Sequence, residues 1–213
     1  MFKIAHRGFV NQCRENSIQS IKNAIEHGFD MVEIDVQLTK DDIIILYHDI
    51  RIEDKLIRTL TYSEIMKIVH VDTLDVVLNT FDTNVTRFYI DMKGCNELAT
   101  KLSKLLIVNQ VHLGNVYLAS FNINHLIALS NSYPPFKLGL ITDNEYDENI
   151  LKYICKKVKL HFMCIHSEML NDKYITLIKK YIKNVFVFTC KNYITQKYIT
   201  NYNVDGIVSD IIL

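Results

Sequence analysis

Short β-branched apolar runs alternate along the chain with longer stretches whose apolar residues recur every three or four positions. This is the pattern of strand–helix units repeated on a parallel sheet. Eight runs read as strands: Lys3–Ala5, Met31–Val36, Arg87–Ile90, Val116–Ala119, Lys137–Leu140, Phe162–Ile165, Val185–Phe188 and Gly206–Val208. Between them, Ile18, Ile21, Ala24 and Ile25 mark one helix face, and Leu98, Leu102, Leu105 and Leu106 another. Leu126 with Leu129, Ile150 with Ile154, and Ile175 with Ile178 and Ile182 repeat the spacing. Such α/β units can close into a (β/α)8 barrel or lie as an open sheet, and periodicity alone does not choose.

Two irregularities break the alternation. Ile43–Tyr47 is an additional apolar run and Arg51–Asp82 contains no clear strand, so a small excursion is expected between the second and third strands. After Val208 only Ser209 to Leu213 follow, too few for a helix behind the eighth strand. The wall left bare there predicts an exposed groove or a homodimer that covers it.

Composition narrows the class. At 213 residues and 49% hydrophobic content, the chain is expected to form a single domain over residues 1–213. Lys and Arg total 24, as do Asp and Glu, so no overall field favours nucleic acid or an anionic membrane. An anionic substrate must therefore be bound locally. Every apolar run is interrupted before the roughly 20 residues that cross a bilayer, and the N-terminus leaves no room for a signal peptide, so an intracellular protein is expected. Five cysteines without C-x-x-C spacing read as reduced thiols, with Cys13–Cys95 the alternative pair. Tyr193, Tyr198 and Tyr202 read as a helix face rather than a base-stacking platform.

Polar residues collect where strands end: His6-Arg7, Glu33 and Asp35, His48-Asp49, and Asp91 with Lys93. In a (β/α)8 barrel these ends share one face, so residues spread over almost ninety positions would converge. Glu33 and Asp35 alternate on one side of a strand whose other residues are apolar. Two carboxylates buried together need a counter-charge, and an all-oxygen donor set favours Mg²⁺ or Ca²⁺, with Asp91 as third ligand. His6 and His48 are suited to exchange protons near neutral pH, one with the nucleophile and one with the leaving alkoxide. Arg7 offers a planar fork to two phosphate oxygens, and Lys93 a point charge. The remaining histidines, at 27, 70, 112, 125, 161 and 166, receive no role.

The series A-H-R-G, R-E-N-S, G-F-D-M-V-E-I-D-V-Q-L-T-K-D, Y-H-D and I-D-M-K resembles the glycerophosphodiester phosphodiesterase family in order and spacing. Ala119-Ser120-Phe121 and V-F-V-F-T followed by V-D-G-I-V-S-D extend the likeness over most of the chain. The resemblance implies a (β/α)8 TIM barrel of the phospholipase-C-like phosphodiesterase type. It implies His6 and His48 as the acid–base pair, Glu33, Asp35 and Asp91 on one divalent cation, and Arg7 and Lys93 on phosphate. Glu15 would support the site by bonding Arg7 or approaching the metal. The implied reaction is metal-dependent hydrolysis of a glycerophosphodiester to glycerol 3-phosphate and an alcohol, within lipid and glycerol metabolism. A cyclic phosphate could form on the way if the neighbouring glycerol hydroxyl attacks first. A lysophospholipase D acting on lysolipids, with Phe9, Val10 and Phe121 at the mouth, is the second reading; an inactive binding barrel is the third. The chain departs from the family pattern at Arg14, where proline is usual, at Asp91 for glutamate, at Phe188 for tryptophan, and in a short excursion after His48.

Overall fold

The computed structural model describes residues 1–131 and 135–213. Its eight parallel strands are β1 (Phe2–Ala5), β2 (Met31–Leu38), β3 (Phe88–Met92), β4 (Val116–Ser120), β5 (Lys137–Thr142), β6 (Leu160–His166), β7 (Asn184–Cys190) and β8 (Gly206–Ser209). They pair in sequence, and β1 closes the ring by pairing with both β8 and β2. The architecture is a closed (β/α)8 barrel, as expected, and each of the eight expected strands is present. Most run a residue or two further than the apolar runs alone suggest, and β3 includes Asp91, because ladder bonding continues past the hydrophobic stretch.

Helices α1 (Ile18–Glu26), α2 (Leu74–Thr80), α3 (Glu97–Val108), α4 (Ile123–Leu129), α5 (Glu148–Lys157), α6 (Asp172–Lys179) and α7 (Tyr193–Ile199) lie between successive strands. They bury Ile21 and Ala24, Leu98 with Leu102 and Leu106, and Leu151 with Ile154 against the strands. Two residues assigned to buried faces point to solvent instead: Ile25 and Ile150 are more than two-fifths exposed. In α5 it is Leu151 that turns inward, which shifts the buried stripe by one position.

A separate layer fills the barrel interior. Tyr89, Tyr117, Phe162 and Phe186 meet there, with the Phe162 and Phe186 rings stacked 4.7 Å apart. Gly139 makes the room, since a Cβ at that position would lie 2.1 Å from the Phe162 ring. The aromatic plug closes the lower barrel and leaves the mouth at the strand C-termini for polar groups.

The excursion has its own small core of Ile45, Ile52, Ile57, Leu60, Ile65 and Val71. Ile44–Leu46 adds antiparallel to β2 in the register Val36 to Leu46. A two-residue ladder, Arg51–Ile52 with Lys55–Leu56, appears in the stretch where no strand was expected. After β8, residues 210–213 form no helix. Ile211 and Leu213 pack against the main core. All five cysteines are free thiols, so the Cys13–Cys95 pair is not formed. No helix among the described residues is long and apolar enough to cross a membrane.

Candidate active site

The barrel mouth encloses a cavity of about 210 Å³ lined by His6, Arg7, Glu33, Asp35, His48, Asp91 and Lys93, among others. The eighth residue singled out in the sequence, Glu15, stands just behind, with its Oε1 2.9 Å from Arg7 Nη1. Residues from β1, β2, β3 and their loops are thus brought together.

The acidic cluster is built by register. Glu33 and Asp35 share a face of β2, and Asp35 pairs directly with Asp91 of β3. A ligand oxygen from each of the three lies within 4.8 Å of the others, and all three residues are buried. Burial first, then Asp35 and Asp91, hold the Glu33 carboxyl well above the usual carboxylate range. Burial pushes Asp91 up to about 7, with Asp35 adding to the shift and Lys93 opposing it. For Asp35, burial is outweighed by Lys93, the Asn16 hydrogen bond, Arg7 and His48, so its carboxyl is lowered. Asp91 Oδ1 is buried without a hydrogen-bond partner. An orphaned carboxylate oxygen facing two further carboxylates is the environment a hard divalent cation would satisfy, and the oxygen-only donors fit Mg²⁺ or Ca²⁺ chemistry.

The two cations are tied into this cluster. Lys93 Nζ lies 2.5 Å from Asp91 Oδ2 and 3.2 Å from Asp35 Oδ1. The two carboxylates outweigh burial and raise the Lys93 ammonium above its ordinary pKa, so it is charged at neutral pH. Arg7 Nε approaches Asp35 Oδ2 at 3.3 Å, and the Arg7 backbone N–H donates to Glu33 Oε2 at 2.7 Å. Arg7 makes that donation from φ +53, a conformation that L residues seldom adopt. Gly8, at φ +76, follows because a Cβ there would lie 2.4 Å from Ser20 Oγ.

Each histidine is backed by a carboxylate: His6 Nδ1 lies 2.6 Å from Asp210 Oδ1, and His48 Nδ1 lies 2.7 Å from Asp49 Oδ1. A carboxylate only accepts, so each Nδ1 carries a proton and each Nε2 is left for exchange with a ligand.

Several contributors escaped the sequence reading. Asp210 backs His6 across 204 positions, with no local signal to reveal it. Asn16, at φ +50, donates Nδ2–H to Asp35 Oδ2 and accepts the Asp35 N–H, both at 2.9 Å. Gln37 continues the Glu33, Asp35 alternation, and its Nε2–H₂ reaches the carbonyls of Tyr47, His48 and Asp49, pinning the histidine segment. His125 is fully buried; its Nε2–H donates to Cys95 O at 2.9 Å, and its Nδ1 lies 2.9 Å from Ser120 Oγ. Ser120 Oγ in turn reaches Met92 O at 2.7 Å, so the pair holds the chain on both sides of Lys93-Gly94. Conversely, Arg14 spends its charge on Asp72, 3.3 Å away, and Phe9 packs against Phe29 and His27 rather than lining the cavity.

A (β/α)8 barrel with carboxylates, backed histidines and cations at its C-terminal mouth belongs with the phosphodiester-cleaving barrel enzymes. Residues 6–213 match the family model of the glycerophosphoryl diester phosphodiesterase family, and the chain is a member of that family. It is 25% identical over 236 residues to a glycerophosphodiester phosphodiesterase of Caldanaerobacter subterraneus subsp. tengcongensis, covering 97% of this chain and 93% of that one. Among solved structures, a glycerophosphodiester phosphodiesterase from Parabacteroides distasonis superposes with a TM-score of 0.85 at 21% identity, over 99% of this chain and 93% of the other. An Oleispira antarctica phosphodiesterase, solved with its product sn-glycerol-3-phosphate, gives 0.87 at 20% identity, over 100% and 94%.

Proposed function

We propose that residues 1–213 act as one catalytic domain that hydrolyses a glycerophosphodiester to glycerol 3-phosphate and an alcohol. Family membership supports the reaction class. The mechanism rests on one observation above the others: three buried carboxylates within 4.8 Å of one another lie in the same cavity as two histidines, each backed by a carboxylate.

Glu33, Asp35 and Asp91 would hold one divalent cation, Mg²⁺ or Ca²⁺, whose chemistry is to polarise a phosphoryl oxygen and offset its growing charge. Arg7 and Lys93 orient the phosphate and stabilise negative charge as it moves onto the non-bridging oxygens. One histidine accepts the proton of the attacking nucleophile at Nε2, while the other delivers a proton to the leaving alkoxide. Asp210 and Asp49 keep the imidazoles in the tautomer that this exchange needs. Glu15 steadies Arg7 through their 2.9 Å contact.

Phe121 and Phe188 meet edge to face at 5.8 Å on the cavity wall, and Phe121 is nearly half exposed. That aromatic rim favours a second reading in which the substrate is a lysophospholipid with its chain across the rim. The test is glycerol 3-phosphate release from glycerophosphocholine by the purified protein, beside H6A and H48A. Release abolished in both variants supports the mechanism. Release unaffected by either loss contradicts it, and activity restricted to lysophospholipids selects the second reading.

A further inference from the structure

The catalytic cavity has two unlike walls. On the side of β1 to β3, the charged and titratable groups are engaged with one another: His6 with Asp210, Arg7 with Glu15 and Asp35, His48 with Asp49, Lys93 with Asp91 and Asp35. Glu33 accepts the Arg7 N–H. On the opposite side Phe121, Ile141, Phe188 and Val208 are apolar, and the one charged lining residue is Lys191. Among the described residues, no carboxylate lies within ion-pairing distance of Lys191. The carboxylate of the β8 side, Asp210, is taken by His6.

The Lys191 backbone is held from both directions. It directly follows Cys190, whose carbonyl accepts the Asp210 N–H at 2.9 Å and the Ser209 hydroxyl at 3.2 Å. It directly precedes Asn192, whose Oδ1 caps α7 by accepting the Thr195 N–H. Strand end and helix cap on either side hold the Lys191 backbone, and its side chain lines the cavity together with Thr189. An uncompensated cation lining a substrate cavity attracts negative charge and repels positive charge.

We infer that Lys191 forms a subsite for a second negative charge, carried by whichever substituent of the phosphodiester extends over β7. The substrate class is then a glycerophosphodiester whose alcohol bears a carboxylate or a further phosphate, in preference to one bearing a quaternary ammonium. This rests on the proposed hydrolysis and adds the identity of the alcohol to it. A charge-assisted contact of this kind discriminates roughly tenfold. Because Lys191 is solvent-exposed, added salt should weaken the preference.

The experiment compares kcat/KM for glycerophosphoserine, glycerophosphoinositol 4-phosphate and glycerophosphocholine in the wild-type protein, K191Q and K191R. The expected result is a serine-to-choline or inositol-phosphate-to-choline ratio that falls roughly tenfold in K191Q and is largely kept in K191R, with the larger fall naming the anion. A ratio that does not move overturns the subsite. An equal loss on all three substrates also overturns it, since Lys191 would then serve the phosphate they share. If the wild-type protein hydrolyses none of them, the proposed function itself fails, an outcome distinct from an unmoved ratio.

Discussion

His6 Nδ1 and Asp210 Oδ1 lie 2.6 Å apart, joining the first barrel strand to the residue just after the last. The contact exists because β1 and β8 are neighbours in the closed ring, pairing Ala5 with Ser209. It orients the His6 ring and holds its tautomer. Replacing Asp210 with Asn would favour the wrong tautomer and should lower kcat by about 10²-fold or more, within the range that positioned acid–base catalysis supplies. Steady-state kinetics of D210N check this, with KM expected to change far less; wild-type kcat in D210N would deny Asp210 the role.

The buried carboxylates make stability depend on pH when no cation is bound. Asp91 is pushed up to about 7 in the fold, whereas an unfolded aspartate titrates near 3.9. A raised carboxyl pKa means that the folded state keeps its proton longer than the unfolded chain does. Stability is therefore fullest below about pH 4 for this group and is lost as pH rises through about 7, by a few kcal/mol in order of magnitude. Glu33, also raised, acts in the same direction; Asp35, lowered, acts against it. Chelator-treated protein should melt at a lower temperature at pH 8 than at pH 5.5. Added Mg²⁺ or Ca²⁺ should restore the loss, because a cation binds the ionised carboxylates. D91N should flatten the pH dependence, and an unchanged slope in that variant would contradict the assignment.

His125 acts at a distance through backbone carbonyls. Burial lowers its pKa, and its contacts with Cys95 O and Ser120 Oγ bracket the Lys93 segment. H125L should leave buried polar groups unpaired, costing about 1–3 kcal/mol, and loosen Lys93. The expected signature is a fall in kcat that exceeds the loss of thermal stability in consequence, partly restored by H125N. A fully stable, fully active H125L would show that the bracket is dispensable.

The aromatic plug depends on an absent side chain. G139A would place a methyl group against Phe162 and break the Phe162–Phe186 stack, at a cost of about 1–3 kcal/mol. For a domain of this size, that is several degrees in Tm by calorimetry. No loss of Tm would mean that the ring can move aside freely.

Much of this site is visible in the chain because its parts repeat with local geometry. Glu33 and Asp35 share a face for the same reason that Ile34 and Val36 share the other, and the alternation extends to Gln37. What stayed hidden depends on ring closure or loop return. Asp210 meets His6 only once β8 lies beside β1, and His125 meets Cys95 only when α4 folds back over the β3 loop. Ile25 and Ile150 face solvent because either of two adjacent apolar positions can fill a helix stripe, and packing decides between them.

In the proposed reaction, diester hydrolysis depends on a cation held by Glu33, Asp35 and Asp91. The most direct test strips the protein with chelator, resupplies Mg²⁺ or Ca²⁺, and follows glycerol 3-phosphate release, with Asp35→Ala alongside. Release that requires the cation and is lost in the variant is the predicted result. Full activity in chelator, or cation-dependent activity that survives Asp35→Ala, would contradict it.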